Sequence, residues 1–454
     1  MQWPARRETM KRMRVVIIGA GFSGAALAAL LARHKPALDV MLLERGPRFG
    51  PGLAYSTKDT RHLLNVRASN MSALADQPDD FVRWLRGRGS RDAGAFAPRQ
   101  SYGEYIEHVL SRARRSRWRG GLKLVRDEAL ACRRNGDKWR ITLAAGADIN
   151  ADAVVLALGH AAQSPLSAFA QSGVTPIEPW RADALRTISP AADVLIMGAG
   201  LTMFDVVLSL TKRQRTGTIY ALSRRGLAPR GHLEFAAPPG EPLRLPGALS
   251  AAVHEFRREA ARMQARGEPW QMAMDRLRAD SPALWRRLPP DAQQRFLRHL
   301  RPWWDAHRHR AAPEVAARIA ALQSESRLRV LAGEVVAVRP SGNTIEVRHR
   351  QRGSLVRHRI EVARVINCTG ASNHMSHSRD AIVRQVLEEG VARAHAAGLG
   401  LDVDEDGRVL SQTGAVQAGL YALGPITQGA FWEATAVPEI RVRAAALAET
   451  IAAG

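Results

Sequence analysis

Residues 14–44 read Arg14-Val-Val-Ile-Ile18, then Gly19-Ala-Gly21-Phe-Ser-Gly24, an Ala/Leu-rich stretch to about Arg33, and an apolar run from Val40 to Leu43 closed by Glu44. A β-branched run, an Ala/Leu segment and a second apolar run predict strand, helix and strand, a complete βαβ unit. The three glycines sit at its first joint. There Gly19 permits the tight turn, Gly21 lets backbone approach a pyrophosphate, and Gly24 lets the helix pack on the strand. The helix N-terminus adds free N–H groups and positive potential, both of which favour phosphate. Glu44 stands 20 positions beyond Gly24, where a carboxylate accepts hydrogen bonds from ribose hydroxyls and repels a 2'-phosphate. FAD or NAD is therefore expected here rather than NADP. The contacts expected from this unit are Gly19, Gly21, Phe22, Ser23, Gly24, Glu44 and Arg45.

A second unit opens at Val194–Met197, followed by Gly198-Ala-Gly200-Leu-Thr-Met203, a helix through about Leu210 and a strand at 218–222. Met203 stands where a third glycine would, which predicts a helix set farther from its strand. The following strand ends in Ser223-Arg224-Arg225 instead of an acid. Paired guanidiniums suit the 2'-phosphate of NADPH, with NADH as the other possibility. Gly198, Gly200, Arg224 and Arg225 are the expected contacts.

At 454 residues the chain exceeds one ordinary core, and two domains are expected. The reading is α/β: a two-dinucleotide-binding-domain flavoprotein with a Rossmann-like FAD domain (1–190 and 360–454) and an inserted NAD(P)H domain (191–359). The latter includes a helical insert over 242–322, rich in Arg and Trp. Residues 50–110 read as loop with short helices, Ala153–Leu158 as a strand bounded by Gly159, and a linker follows with Pro165, Pro176 and Pro179. Strands are expected at about 328–338 and 344–349. Val362 to Asn367, with Cys368-Thr369-Gly370 behind it, reads as a return to the first sheet. Gly419 to Pro425 and an Ala-rich helix after Val437 close the chain.

Composition narrows the chemistry. With 46% apolar and 24% charged residues the chain is of the globular class. Its two cysteines, Cys132 and Cys368, form no Cys-x-x-Cys, so neither a disulfide framework nor a redox dithiol is expected. No apolar run reaches the roughly 18 residues of a membrane span, and Met1 to Arg7 lacks a leader's apolar core. A cytoplasmic protein without membrane attachment is expected. The net charge is +23, with arginine spread widely and dense clusters only at Arg112–Arg119 and Arg298–Arg310. Without a nucleic-acid-binding signature these clusters read as solvated faces, and no nucleic acid is expected.

Several blocks together carry a family resemblance: Gly50-Pro-Gly52-Leu-Ala-Tyr55, His62-Leu-Leu-Asn65-Val66, Met71-Ser72, Asp79 to Leu85 and Arg99-Gln-Ser-Tyr102-Gly103-Glu-Tyr105. Trp303 to His309, Ile366 to Gly370 and Phe431 to Arg441 extend it over most of the chain. The sequence resembles the FAD/NAD(P)-binding proteins grouped with FAD-dependent urate hydroxylase and aspartate N-monooxygenase. That resemblance implies a single-component monooxygenase in which NAD(P)H reduces FAD, O2 adds at the flavin, and the hydroperoxide hydroxylates a small polar or anionic substrate. It implies that Gly52, Tyr55 and Asn65 lie near the flavin; Gly159 and Gly370 are further expected cofactor contacts. Gly424 would approach the ribityl side, although Pro425 replaces the acid usual in related flavoproteins. The residues themselves leave the electron acceptor open among O2, a quinone, another protein and a small organic molecule. An NAD(P)H-dependent reductase or dehydrogenase is the alternative.

The block Trp303-Trp-Asp-Ala-His307-Arg-His309 places two histidines at i and i+2, which do not share a helix face. No metal site is expected there, and the tryptophans read as core. Arg301, His307 and Arg310 are candidates for binding a substrate anion, on their family-like context. His160 would sit at the carboxyl edge of a sheet, where ligands gather. Cys368 reads as a small apolar filler.

Overall fold

A computed structural model describes residues 12–34, 38–90, 94–115, 121–160, 166–235, 240–370, 375 and 378–453. The opening Met1–Arg7 run, the 116–119 part of the first arginine cluster, and Pro165 lie outside them. The expected βαβ unit is present as β1 (Arg14–Ile18), the helix Phe22–Leu31 and β2 (Asp39–Glu44). That helix is apolar all round because it is buried between sheet and neighbouring helices. Parallel pairing continues outward from β2 to β3 (Leu122–Arg126), an edge strand that the local pattern does not announce. Next in the chain come β4 (Ala129–Asn135), β5 (Lys138–Leu143) and β6 (Asp148–Ala151), a separate antiparallel sheet, and then β7 (Ala153–Leu156), which pairs with β1.

The second unit has β8 (Val194–Met197), the helix Leu201–Leu210, β9 (Ile219–Ser223), β10 (Leu328–Ser341), β11 (Thr344–Gln351), β12 (Arg357–Val362) and β13 (Arg364–Asn367). Its order is β12-β11-β10-β9-β8-β13. Here one expectation is corrected: the strand before Cys368-Thr369-Gly370 does not rejoin the first sheet but pairs in parallel with β8. Short parallel strands buried on both faces look alike in sequence, so composition does not say which sheet receives them. The first sheet is regained by β14 (Arg408–Leu410) and β15 (Val416–Ala422), giving the order β14-β15-β7-β1-β2-β3.

One face of the first sheet carries the helices Phe22–Leu31, Arg99–Arg115 and Val437–Ala453. The middle one, with 17 residues, is longer than the short helices expected over 50–110. Beneath the other face lie β4–β6 and the helix Ala381–Glu388. Between β9 and β10 run helices at Leu249–Ala265, Trp270–Arg287, Pro290–His299, Arg301–Arg308 and Pro313–Ser324. The last packs Val315, Ile319 and Leu322 into the second unit's core, whereas the earlier ones enclose an aromatic cluster of Trp285, Trp304, Phe296 and Trp432. No described helix is long and apolar enough to cross a membrane.

The arginine cluster at 298–310 is not wholly a solvated face. Arg308 and Arg310 are 5% and 4% exposed, because acids from other segments meet them: Glu433 lies 2.8 Å from Arg308 and Asp275 pairs with Arg310. Trp304 is core as expected, while Trp303 is 48% exposed.

Both glycine turns have the same construction. Gly19 N–H donates to the Leu43 carbonyl at 2.9 Å and Gly198 N–H to that of Leu222 at 2.8 Å, each with positive φ. A Cβ on Gly19 would lie 2.5 Å from the Ala157 carbonyl oxygen, and one on Gly198 2.3 Å from that of Cys368. Around Gly200 a Cβ would meet nothing. Gly198→Ala is accordingly expected to cost about 2 kcal/mol or more, whereas Gly200→Ala stays within about 1 kcal/mol. Urea unfolding midpoints of the two variants check this difference.

Candidate functional site

Around the first turn, the segment 50–55 folds over the start of the helix. Gly50 N–H donates to the Ala20 carbonyl at 2.7 Å, and a Cβ on Gly52 would stand 3.0 Å from Gly21 Cα. Two bare glycines thus face one another across a narrow gap. The first intrahelical bond runs from Ala25 N–H to the Gly21 carbonyl, so the amides of Phe22, Ser23 and Gly24 have no helical acceptor. Gly24 is required by packing, since a Cβ there would fall 2.0 Å from the Gly19 carbonyl oxygen. From the far end of the chain, Gly424 joins the same turn at φ +83°, where a Cβ would lie 2.2 Å from Ser23 Oγ. It opens the 3-10 turn Pro425–Thr427.

Glu44 accepts from Ala20 N–H and Gly46 N–H, both at 2.8 Å and one on each oxygen. Each oxygen keeps a further lone pair for a hydroxyl donor. Arg45 is engaged elsewhere: its guanidinium meets Asp380 at 2.8 Å and Glu128 at 3.3 Å. Tyr55 packs edge-on against Tyr102 with centroids 4.6 Å apart, and burial raises its phenol to about 12, outweighing the opposite pull of Arg99. It is therefore a neutral hydrogen-bonding group. Asn65 offers its carbonyl to His232 Nε2 at 3.0 Å.

The second turn presents Gly200, with open space beside it, at the N-terminus of the helix Leu201–Leu210. Arg224 is exposed, and Arg225 touches only the Arg298 carbonyl, at 3.4 Å, among the contacts of the described residues. Gly159 and Gly370 occupy matching places beyond β7 and β13, both with positive φ and free space. Gly370 thereby belongs to the second sheet's edge, as its strand does.

Three imidazoles are disfavoured as cations by their surroundings, although His160 keeps an exposed surface. Burial, with Arg301 as the second cause, lowers the His160 imidazole to about 4. His232 is lowered to about 3 by burial and then by Arg310, against the bond to the Asn65 carbonyl. His309 is lowered too, chiefly by burial, and its Nε2 lies 3.6 Å from Asp305. Arg67 binds the carbonyls of Gly94 at 2.6 Å, Leu233 at 2.7 Å and Phe235 at 2.8 Å, and lies over the Phe96 ring. Neither His232 nor Arg67 carries a local sequence signal, because their segments meet only in the folded chain.

The three candidates for a substrate anion separate. Arg301 keeps exposed surface, faces His160, stands 3.5 Å from Asp305 and lies near the Trp432 ring. His307 contacts the Trp303 carbonyl through Nδ1 at 2.8 Å and packs against Trp270. Arg310 is buried, pairs with Asp275 and donates to the Gln271 carbonyl, both on the helix Trp270–Arg287. Arg308 and Glu433 form a second internal pair, and Arg308 holds the Glu433 carboxyl below its ordinary range although burial acts the other way.

Two glycine turns, one on each parallel sheet, define the class: the chain has the fold of a two-dinucleotide-binding-domain flavoprotein. Residues 16–161 match the family described as FAD-NAD(P)-binding. The ornithine N-hydroxylase of Kutzneria sp. 744, in a structure titled with reduced FAD, NADP+ and L-ornithine, superposes with a TM-score of 0.68. It is 16% identical, over 97% of this chain and 99% of that one. L-lysine 6-monooxygenase of Pseudomonas syringae gives 0.66 at 19% identity, over 96% and 98%. Thioredoxin reductase of Lactococcus lactis gives 0.55 at 14% identity, over 97% and 99%. In sequence, a probable malate:quinone oxidoreductase of Synechococcus sp. (strain RCC307) is 32% identical over 103 residues, 19% of this chain and 22% of that relative's length.

The lowered imidazoles predict an acid response. An unfolded histidine titrates near 6.5, while His160 and His232 stay neutral to about 4 and about 3. Their stabilisation is complete above 6.5 and is lost as pH falls through that window, since only the unfolded state takes up the proton. The urea midpoint is expected to drop over this range, and His232→Gln to flatten the slope. A variant with the wild-type slope contradicts it.

Proposed function

We propose that this chain is an FAD-dependent, NADPH-driven monooxygenase that hydroxylates a small anionic molecule, an amino acid or a urate-like acid. The observation that carries the reading is the pair of equivalent glycine turns, one on each sheet, each opening a helix whose first amides are free. The residues fit the dinucleotides. Gly21 and Gly52 leave a cradle that any Cβ would narrow, and the amides of residues 22–24 favour a pyrophosphate. Glu44 retains acceptor capacity for ribose. Gly200 provides the corresponding opening for NADPH, and Arg224 and Arg225 the charge for its 2'-phosphate.

Bound FAD supplies hydride acceptance from NADPH and, once reduced, activation of O2. Overall, substrate, O2, NADPH and a proton give hydroxylated substrate, water and NADP+. The protein's part is placement. Arg301 offers a cation for a substrate carboxylate, His160 stays neutral and offers a hydrogen bond, and Tyr55 keeps its proton near the flavin. The aromatic wall of Trp285, Trp304 and Trp432 excludes water from one side. The fold neighbours, an ornithine N-hydroxylase and an L-lysine 6-monooxygenase, support an amino acid over urate. The stretch similar to a malate:quinone oxidoreductase supports the alternative, a dehydrogenase passing electrons to a quinone.

The test is NADPH oxidation by the purified yellow protein with ornithine, lysine, aspartate or urate under 18O2. One labelled oxygen in the product, with little hydrogen peroxide, is expected. Fast quinone reduction without label transfer establishes the alternative, and a colourless protein that takes up no FAD ends both. Gly21→Val is expected to abolish FAD binding. Replacing Arg224 and Arg225 by Ala should raise the KM for NADPH roughly tenfold and leave that for NADH unchanged; equal changes for both cofactors would remove the 2'-phosphate assignment.

A further inference from the structure

The two dinucleotide units also meet through a polar contact that none of the proposed cofactor contacts makes. Arg99, the first residue of the helix Arg99–Arg115, belongs to the first unit. Asp205 lies one turn into the helix that follows the second glycine turn. Arg99 Nη1 stands 3.3 Å from Asp205 Oδ2, with the side chains 13% and 8% exposed. Arg99 is held from other directions, since its N–H donates to the His62 carbonyl at 2.8 Å and its Nε–H to that of Leu63 at 3.1 Å.

One turn farther along the second helix, Ser209 Oγ lies 2.9 Å from His62 Nε2, and His62 Nδ1 lies 2.9 Å from Thr57 Oγ1. Asp59 is 3.9 Å from the same imidazole and is held by Arg61. Beside them Leu63 packs into the apolar cluster that holds Leu201 and Phe204. Apolar surfaces tolerate sliding, whereas a buried charge pair has one good geometry and a high cost of separation. Burial pushes the Asp205 carboxyl above its ordinary range, against Arg99 and His62, which hold it down. Asp205 Oδ2 meets Arg99 as an ion pair but accepts no hydrogen bond. Arg99 also acts electrostatically on Tyr55, which ties the pair to the first turn.

We propose that Arg99 and Asp205 are positioning residues whose buried ion pair sets the register of the second glycine-turn helix against segment 57–65, and so the distance between the two dinucleotides. This rests on the reading of the two turns as FAD and NADPH sites. The pair touches the reaction only through the helix it holds: Asp205 is four residues beyond Leu201, about 6 Å along the axis at 1.5 Å per residue. A small shift there displaces whatever the turn binds, and hydride transfer falls steeply with misplacement.

The deciding variant is Asp205→Asn, which keeps the shape and removes the charge. Anaerobic flavin reduction at saturating NADPH is expected to slow at least tenfold, with FAD content, reduction by dithionite and the Kd for NADPH nearly unchanged. In hydrogen exchange, amides of 201–210 should exchange at least tenfold faster in the variant, with or without NADPH. A wild-type reduction rate with wild-type exchange overturns the proposal. Loss of NADPH affinity at an unchanged limiting rate does so too, since that is a binding role. If Asp205→Asn does not fold, Arg99→Gln removes the other charge of the pair, and a wild-type reduction rate there is equally fatal. Should NADPH fail to reduce even the wild-type flavin, the cofactor assignment fails, while the exchange measurement still decides whether the ion pair holds the helix.

Discussion

Contact between a glycine and a carbonyl oxygen at each strand-to-helix joint is the constraint from which the rest follows. Gly19 lies under the carbonyl that follows β7, and Gly198 under the one that follows β13. A side chain at either place would push the neighbouring strand away, and the helix start would no longer sit at the carboxyl edge of its sheet. Because both joints are that tight, both helices point their free N–H groups toward the space where dinucleotides gather in open parallel sheets. The two units repeat the same hydrogen bonds: Ala157 N–H to Ile18 and Cys368 N–H to Met197 complete the symmetry.

Charge is arranged differently from packing. Most arginines lie at the surface in pairs that contribute little, but a few are drawn inward where elements distant in sequence meet. Arg308 with Glu433 joins the helical segment to the C-terminal part, and Trp285 Nε1–H, donating to the Gly429 carbonyl at 2.7 Å, crosses the same boundary. Breaking such a pair would leave an unpaired internal charge. His160 and His232 stay neutral because burial and nearby guanidiniums oppose a further positive charge.

Much of the fold was legible in the chain. The Gly-x-Gly-x-x-Gly at 19–24 with Glu44, and the Gly-x-Gly at 198–200 with its flanking strands, identify themselves because a tight turn and a close backbone approach admit few residue types. Hydrophobic runs located β1, β2, β7, β8 and β9, since strands buried on both faces are apolar throughout. β3, the three-stranded sheet and β12 were missed, being partly exposed and mixed in composition.

By itself the sequence determined that two dinucleotide folds are present and where each turns, because those turns depend on residues adjacent in the chain. Tertiary structure alone decided that the strand before Gly370 joins the second sheet, that Arg310 faces Asp275 while Arg301 faces His160, and that Arg99 finds Asp205. Each of these depends on which distant segment arrives alongside. Local pattern reports the conformation and burial a residue prefers, and it carries no record of the partner a charge or a strand edge will meet.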